Sequence, residues 1–363
     1  MTLSANKELI ESKKMETCYL CNSRGHVIYR NVKDRLYNVP GEWNVRKCNS
    51  KICGLVWIDP MPIDADIWKL YKNYFTHNES NQDDCSNSSC MQVDTKISFL
   101  NSSIKRALFS HYYNYEEYKA GGLTSLLVSL LSMMSLFRSR MGRKVMWLNG
   151  GWRNRLLDYG CGNGQFLGQM KNIGWDVVGY ELDKQAAKVA SDSFSINVYT
   201  GNFSEVAEKE GLFDVITLSH VIEHLPDPEH ILQECKKKLK PGGKLVIVTP
   251  NFESLGSRYF KEYWRPLETP RHLYLFNTQT LSKIAEKTNM SVQKIWTHSD
   301  SASGIWRRST VIRKEGKLNG GNPSKLPSYA KRGSKIFSII EKISTKFSPC
   351  GEEMVAILEK HSN

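Results

Sequence analysis

From residue 155 onward, short apolar runs alternate with stretches whose apolar residues recur at helical spacing, the pattern of βαβ units on a parallel sheet. The runs predict strands at 155–159, 176–181, 196–199, 213–219, 243–249, 291–297 and 353–360. Helices are expected between them at 164–173, 183–193, 228–239 and 278–288. Pro241-Gly242-Gly243 is placed to stop the 228–239 helix just before the next strand. Seven strands would complete an α/β sheet.

Two further stretches carry helical periodicity. Leu123, Leu126, Leu127, Leu130, Leu131 and Met134 share one face of a helix over 123–137, ahead of Arg138, Arg140, Arg143 and Lys144. Ile336, Ile340, Ile343 and Phe347 do the same over 332–347, with Lys335, Lys342 and Lys346 on another face. Each is read first as a packing helix and second as a surface for a membrane interface or a lipid-linked carrier. By contrast, 77–90 has almost nothing to bury and reads as a mobile loop, with Cys85 and Cys90 as exposed thiols. The organisation expected is therefore a module at 1–60, a polar loop and helical lid or linker at 61–150, the sheet-forming domain at 151–300, and a basic helical insertion with the final strand at 301–363.

No run reaches the roughly 20 apolar residues of a membrane-spanning helix, so the chain is not expected to cross a bilayer. The first eighteen residues hold no apolar stretch behind a basic start, which places the chain in a reducing, cytoplasmic setting, with peripheral contact at the inner face of the membrane as a further expectation. Of the formal charge of +13, residues 301–348 supply +9, from eleven Lys or Arg against two acids. A positive field so concentrated suits phosphate-bearing partners, with a phosphorylated or lipid-linked acceptor preferred to nucleic acid.

Nine cysteines in a reducing compartment are thiols or metal ligands rather than disulfides. Cys18 and Cys21 form one close pair, Cys48 and Cys53 another, with 26 residues between the pairs. Two such knuckles chelate one tetrahedral Zn²⁺, and a module this small needs the metal to fold. The second pair has four intervening residues rather than two, and His26 is a lower-ranked substitute ligand.

The strongest local signal is Leu156-Leu157-Asp158-Tyr159-Gly160-Cys161-Gly162-Asn163-Gly164, an apolar strand entering a turn with glycine at alternate positions and then a helix. Such a turn brings backbone close to a ligand, and its spacing departs from the G-x-G-x-x-G dinucleotide fingerprint. Glu181 ends the next strand seventeen residues after Gly164, where a carboxylate can hold both hydroxyls of a ribose. Asn202 and Phe203, after the third strand, are candidates for an amide and a ring edge against adenine. Ser219 and His220 end the fourth strand and are also expected at the donor. Glu223 and His224 follow, and activating a hydroxyl or carbon nucleophile needs a base poised near neutral pH. His224 is the expected base, with Glu223 orienting it. His272 is the alternative base, within Pro270-Arg271-His272-Leu273-Tyr274-Leu275-Phe276, a segment expected at the site's mouth where aromatic faces could stack on a sugar and Arg271 could pair with phosphate.

These residues together resemble the class I S-adenosylmethionine-dependent methyltransferases over roughly 150–300 and the last strand. The resemblance implies a seven-stranded Rossmann-like sheet, with Asp158 to Gly164 cradling the methionine part of the donor, Glu181 on the ribose and Asn202, Asp in many members, near adenine. The start of the chain, Leu36 to Trp43 and Cys53 to Pro60, looks like the zinc ribbon of a subgroup often encoded among surface-polysaccharide and modified-sugar functions. Its members also carry an Arg-His-Leu-Tyr-x-Phe segment, matched by 271–276. The zinc cysteines and the Glu-His pair are similar to those of sugar C-methyltransferases, whose large C-terminal sugar domain has no counterpart here. The resemblance implies methylation of a sugar or glycan, free, nucleotide-linked or lipid-linked, with oxygen as acceptor. The rival readings are an RNA methyltransferase using the basic surface and ribbon, and a donor-binding protein without turnover.

Overall fold

The computed structural model describes residues 10–71, 103–119, 121–132, 135–318 and 326–361. The loop expected at 77–90, with Cys85 and Cys90, lies outside them. The chain opens with β1 (Ser12–Lys13), β2 (Gly25–Val32), β3 (Trp43–Cys48), β4 (Val56–Asp59) and β5 (Met61–Pro62). Three helices follow, α1 (Ser103–Tyr113), α2 (Leu123–Ser132) and α3 (Ser135–Lys144). The single helix expected over 123–137 is thus two helices, α2 and α3.

The alternating part runs β6 (Arg155–Tyr159), α4 (Gln165–Asn172), β7 (Asp176–Tyr180), α5 (Lys184–Phe194), β8 (Asn197–Tyr199), α6 (Val206–Glu210), β9 (Phe213–Ser219), α7 (Pro228–Lys238) and β10 (Leu239–Pro250). It continues through α8 (Leu255–Phe260), β11 (Tyr274–Leu275), α9 (Thr278–Lys287), β12 (Ser291–His298), α10 (Ala302–Glu315), α11 (Ser334–Ser344) and β13 (Glu353–Glu359). Each of the seven expected strands is present. They form one sheet in the order β12-β13-β10-β9-β6-β7-β8, with β13 antiparallel to both neighbours. The other described pairings are parallel, which sets the strand ends and the loops after them along one carboxyl edge.

Local chemistry fixes most boundaries. Asp183 caps α5 by accepting the Gln185 and Ala186 amides, and Asn277 with Thr280 forms a reciprocal capping box at α9. Pro241-Gly242-Gly243 acts differently from expectation. Helix α7 already ends at Lys238, and the three residues fall within β10, where the pairing with β9 shifts register between Leu239 and Lys244. The Pro-Gly-Gly run is taken up as an irregularity in the strand.

A second sheet, β11-β4-β3-β2, joins the start of the chain to residues 274–275. One apolar core runs through both sheets: Trp57, Leu55 and Cys53 belong to the same buried cluster as Leu157, Ile216, Leu245 and Leu273. Arg271, wholly buried, then ties the layers with two N–H bonds to Asp34 at 2.9 and 3.0 Å and one to Glu268 at 3.2 Å. A guanidinium without water needs this many acceptors. The cysteine-bearing start is packed onto the sheet domain, and residues 274–275 complete its sheet.

Candidate active site

The glycine turn after β6 holds three left-handed residues, Gly160, Gly162 and Gly164, at φ of 78°, 54° and 77°. Two of them are glycines because of close packing. A Cβ on Gly160 would sit 2.6 Å from the Val221 side chain, and one on Gly164 would sit 2.6 Å from Ala190. Gly162 differs, since its missing Cβ faces open space with no heavy atom within 4 Å. That leaves an uncovered cradle of backbone. Gly160 and Cys161 donate their amides to the Tyr180 carbonyl at 2.7 and 3.1 Å, which pins the turn against β7. Asn163 accepts the Gln165 amide at 3.3 Å, at the start of α4. The Cys161 thiol is buried and its pKa is raised by that burial.

Glu181 closes the cradle. Its two carboxylate oxygens accept the Gly162 amide at 2.8 Å and the Asp183 amide at 3.0 Å, so the group expected on a ribose is already oriented across the glycine turn. Burial raises its pKa. Asp158 lies beneath, receiving the Thr217 hydroxyl at 2.6 Å, and burial pushes its carboxyl up to about 7. Leu182, beside Glu181, is 66% exposed and offers an apolar face to a flat ring. The sequence reading passed over it because one leucine at a strand end carries no pattern.

Asn202 and Phe203 correct the expectation in part. Asn202 accepts the Ser204 amide at 3.1 Å and its hydroxyl at 2.8 Å, capping the 3₁₀ turn Phe203–Glu205. The Phe203 ring is buried, 4.6 Å from Tyr159 and 4.8 Å from Tyr180 between ring centroids, so its edge is spent on packing. A cavity of about 380 Å³ opens beside them, lined also by His230 and Glu234 of α7.

At the end of β9, Ser219 is half-buried and His220 takes the left-handed conformation at φ 54°, a strained setting for a residue with a side chain. Its ring lies between two carboxylates, Nδ1 3.4 Å from Glu223 and Nε2 3.1 Å from Glu353. Burial opposes its charge, but the two carboxylates win and raise its pKa to about 10. His220 is a clamped imidazolium at neutral pH. Glu353 and the neighbouring His298, at 3.6 Å, come from the distant β13 and β12, so sequence spacing gave no signal for them.

Glu223, expected to orient His224, lies with His224 and His272 in one group whose polar atoms are within 4.8 Å of one another, and it also faces His220. Glu223 and His224 both lie in the 3₁₀ turn Ile222–His224, just after the left-handed His220. Glu223 is fully buried and accepts the Thr249 hydroxyl at 2.9 Å. Its carboxyl is lowered to about 2, because His220 and the nearby histidines outweigh the burial that opposes ionisation. His224 is held by other partners: its Nδ1 lies 2.9 Å from the Tyr71 hydroxyl and 3.1 Å from the Arg271 carbonyl. Since a carbonyl only accepts, Nδ1 carries the proton and Nε2 the lone pair. Burial lowers the His224 pKa below its usual 6.5.

His272 packs edge-on against His224, with ring centroids 4.6 Å apart, and its Nδ1 meets the Pro266 carbonyl at 2.7 Å. It is 4% exposed, and burial drives its pKa down to about 3. The rest of its segment is also enclosed. Arg271, Tyr274 and Phe276 are buried, so the stacking and phosphate contacts expected of 270–276 are closed off, while Arg265 ahead of them keeps a quarter of its side chain exposed.

A family model described as a methyltransferase domain matches residues 131–295. The matched residues include the glycine turn, Glu181, His220, His224 and His272. The ubiquinone biosynthesis O-methyltransferase of Xanthomonas oryzae pv. oryzae is 36% identical over 103 residues, covering 27% of this chain and 43% of that protein. The protein of the same name from Paraburkholderia phymatum is 34% identical over 118 residues, 29% of this chain and 51% of that one. The chain thus spans about half the length, or less, of these curated relatives. Among solved structures, a SAM dependent methyltransferase from Archaeoglobus fulgidus aligns with 62% of this chain and 94% of its own, at 25% identity and a TM-score of 0.40.

Outside the methyltransferase domain, Cys18, Cys21, Cys48 and Cys53 bring their sulfurs within 4.8 Å of one another. Cys18 and Cys53 are 3.6 Å apart and Cys21 and Cys48 3.4 Å. These are free thiols that could hold a metal ion. The longer second knuckle is a turn in which the Cys53 amide reaches the Ser50 carbonyl at 3.1 Å and the Ser50 amide reaches the Cys48 sulfur at 3.4 Å. His26 is not part of the group, because its Nδ1 pairs with Asn49 at 2.7 Å. Among the described residues, no helix is long and apolar enough to cross a membrane.

Proposed function

We propose that the chain transfers methyl from S-adenosylmethionine to an acceptor hydroxyl, with His224 taking the proton. What supports this reading above all is the contrast among the three histidines. His220 already holds its proton between two carboxylates, His272 is sealed and too weak a base, and His224 is neutral with its Nε2 lone pair unspent. The donor, when bound, supplies an electrophilic methyl group. Gly160 to Gly164 and Glu181 would hold it, since the space over Gly162 and the oriented carboxylate match a backbone cradle and a ribose ligand. Tyr71 and the Arg271 carbonyl fix the His224 tautomer, and the single charge of the His220 imidazolium offsets one of the two carboxylates, Glu223 and Glu353, that flank it.

Oxygen as the acceptor atom follows from the similarity to the two ubiquinone biosynthesis O-methyltransferases. The sugar or glycan acceptor loses the contacts expected from 270–276, and a hydroxyl-bearing small molecule or lipid is the class carried forward. We also propose structural Zn²⁺ on the four thiolates. Tetrahedral coordination at about 2.3 Å places sulfurs about 3.8 Å apart, and the two closest contacts are slightly shorter than this. The ion would join the two knuckles under β4, beside the segment that carries Tyr71.

The test is transfer of labelled methyl from S-adenosylmethionine into host extract, separated into lipid, nucleotide-sugar, glycan, protein and RNA fractions, with Gly162→Arg as the control. Label in a lipid or small-molecule fraction, absent with the variant, supports the reading. Label confined to RNA or protein overturns it.

A further inference from the structure

Helix α11 is apolar on two sides, and the fold covers one. Its inner side buries Ser334, Phe337 and Glu341, with the Phe337 ring 4.7 Å from Trp306 of α10. Its outer side carries Ile336, Ile339, Ile340 and Ile343, continued by Phe347 past the helix end, with exposures from 51% to 84%. Positions 336, 339, 340, 343 and 347 are the spacing of one continuous helical stripe, so this is a single apolar strip and not scattered exposure. Helix α2 repeats the arrangement on a smaller scale, with Leu126 and Leu130 more than 60% exposed while Val128 is buried.

The charges around the strip are of one sign. Lys331, Arg332, Lys335 and Lys346 are exposed beside it, and Lys342 is half-buried. The sole acid between 331 and 347 is Glu341, which is buried under the helix. A soluble helix face normally intersperses both signs. Isoleucines and a phenylalanine flanked by cations alone match the two layers of a bilayer interface, acyl chains below and anionic headgroups beside them.

The buried side of the same helix meets the chain just ahead of β13. Glu341 interacts with Glu352, the residue before Glu353, whose carboxylate clamps His220. Ser139 of α3 donates to Asp300, just ahead of α10, so the α2–α3 pair meets the same carboxyl edge. We propose that the α11 strip docks this protein on the surface of a bilayer containing anionic phospholipid, with the α2 leucines as a second contact. A surface-docked enzyme would meet its acceptor at the membrane. The docking itself does not depend on the identity of the acceptor or on methyl transfer.

The experiment is flotation of the full chain with vesicles of equal parts phosphatidylglycerol and phosphatidylcholine, and with phosphatidylcholine alone. Flotation with the anionic vesicles is expected. It should weaken at least tenfold in partition coefficient for Ile336→Ser/Ile340→Ser/Ile343→Ser, and fall for Lys335→Glu/Lys346→Glu and with rising salt. Because these side chains are exposed, circular dichroism and binding of S-adenosylmethionine should match the unsubstituted chain. Flotation equal for the triple-serine and unsubstituted chains overturns the proposal, as does no flotation at all. A dimer that dissociates in the triple-serine variant, without vesicle binding, would make a second copy the occupant and also overturn it.

Discussion

Replacing Asp34 by Ala tests whether the cysteine-bearing start and the methyltransferase domain are one cooperative unit. The Asp34 carboxylate accepts five hydrogen bonds: the Leu36, Tyr37 and Val39 amides at 2.9, 3.2 and 3.0 Å, and two from Arg271 at 2.9 and 3.0 Å. Neither side chain of the pair is exposed at all. Alanine removes every one of these acceptors and leaves the guanidinium with one carboxylate, Glu268 at 3.2 Å, and the Tyr37 ring face at 4.3 Å. Removing one member of a buried ion pair costs about 3–5 kcal/mol, against a total stability of about 5–15 kcal/mol. Urea unfolding followed by tryptophan fluorescence should show a loss in that range in a single transition. The double variant Asp34→Ala/Arg271→Met should lose less than Asp34→Ala alone, because no unpaired charge stays buried. A loss below about 1 kcal/mol, the value of an exposed pair, would refute the reasoning, and so would two separate transitions.

Gly162→Arg should abolish binding of S-adenosylmethionine by calorimetry while circular dichroism is retained, because the side chain would enter the open cradle from a left-handed position. Binding within twofold of the unsubstituted chain would place the donor elsewhere. His224→Gln should lower kcat by about 10²–10⁴-fold with donor affinity unchanged. The unsubstituted enzyme should be flat through neutral pH and lose rate only as pH falls below about 6.5, since the neutral imidazole is the active form and its pKa is lowered. A retained kcat, or an alkaline limb near pH 10, would move the role away from His224. The His220–Glu353 pair should shape stability with pH. The His220 contribution is complete below its unfolded value of 6.5 and is lost as pH rises through about 10, and the Glu353 contribution is complete above its unfolded value of 4.5 and is lost as pH falls. Melting temperature should therefore drop on both sides of pH 4.5–6.5 and flatten in His220→Gln; an unchanged profile in that variant rejects the pairing. Chelation of the purified chain should release one zinc ion, expose four further titratable thiols and loosen the β11-β4-β3-β2 sheet; a chain that carries no metal when purified in zinc-containing medium would reject the zinc assignment.

The alternation of apolar runs and helical spacing located all seven strands of the main sheet, and the four crossover helices, to within a residue or two at most ends. Those elements are decided by neighbours in sequence: Asp183 and Asn277 cap helices whose amides lie two or three residues away, and the glycine turn needs only its own φ angles. Cys18, Cys21, Cys48 and Cys53 were legible for the same reason, as two local knuckles. The partners of the histidines were not. Tyr71 reaches His224 across 153 positions and Arg271 reaches Asp34 across 237, and nothing in local periodicity encodes such pairings. Composition marks a residue as polar without saying whether packing will bury it. Arg271 and His272, read as a binding edge, became a buried tie and a wall because β11 docks against β4. His220, read as one more donor contact, became a clamped cation because β13 inserts between β10 and β12 and brings Glu353 to it. The sequence by itself determined the elements, the donor turn and the thiol cluster. Only the tertiary structure decided which histidine is left to accept a proton, because that depends on charges and burial contributed by strands far apart in the chain.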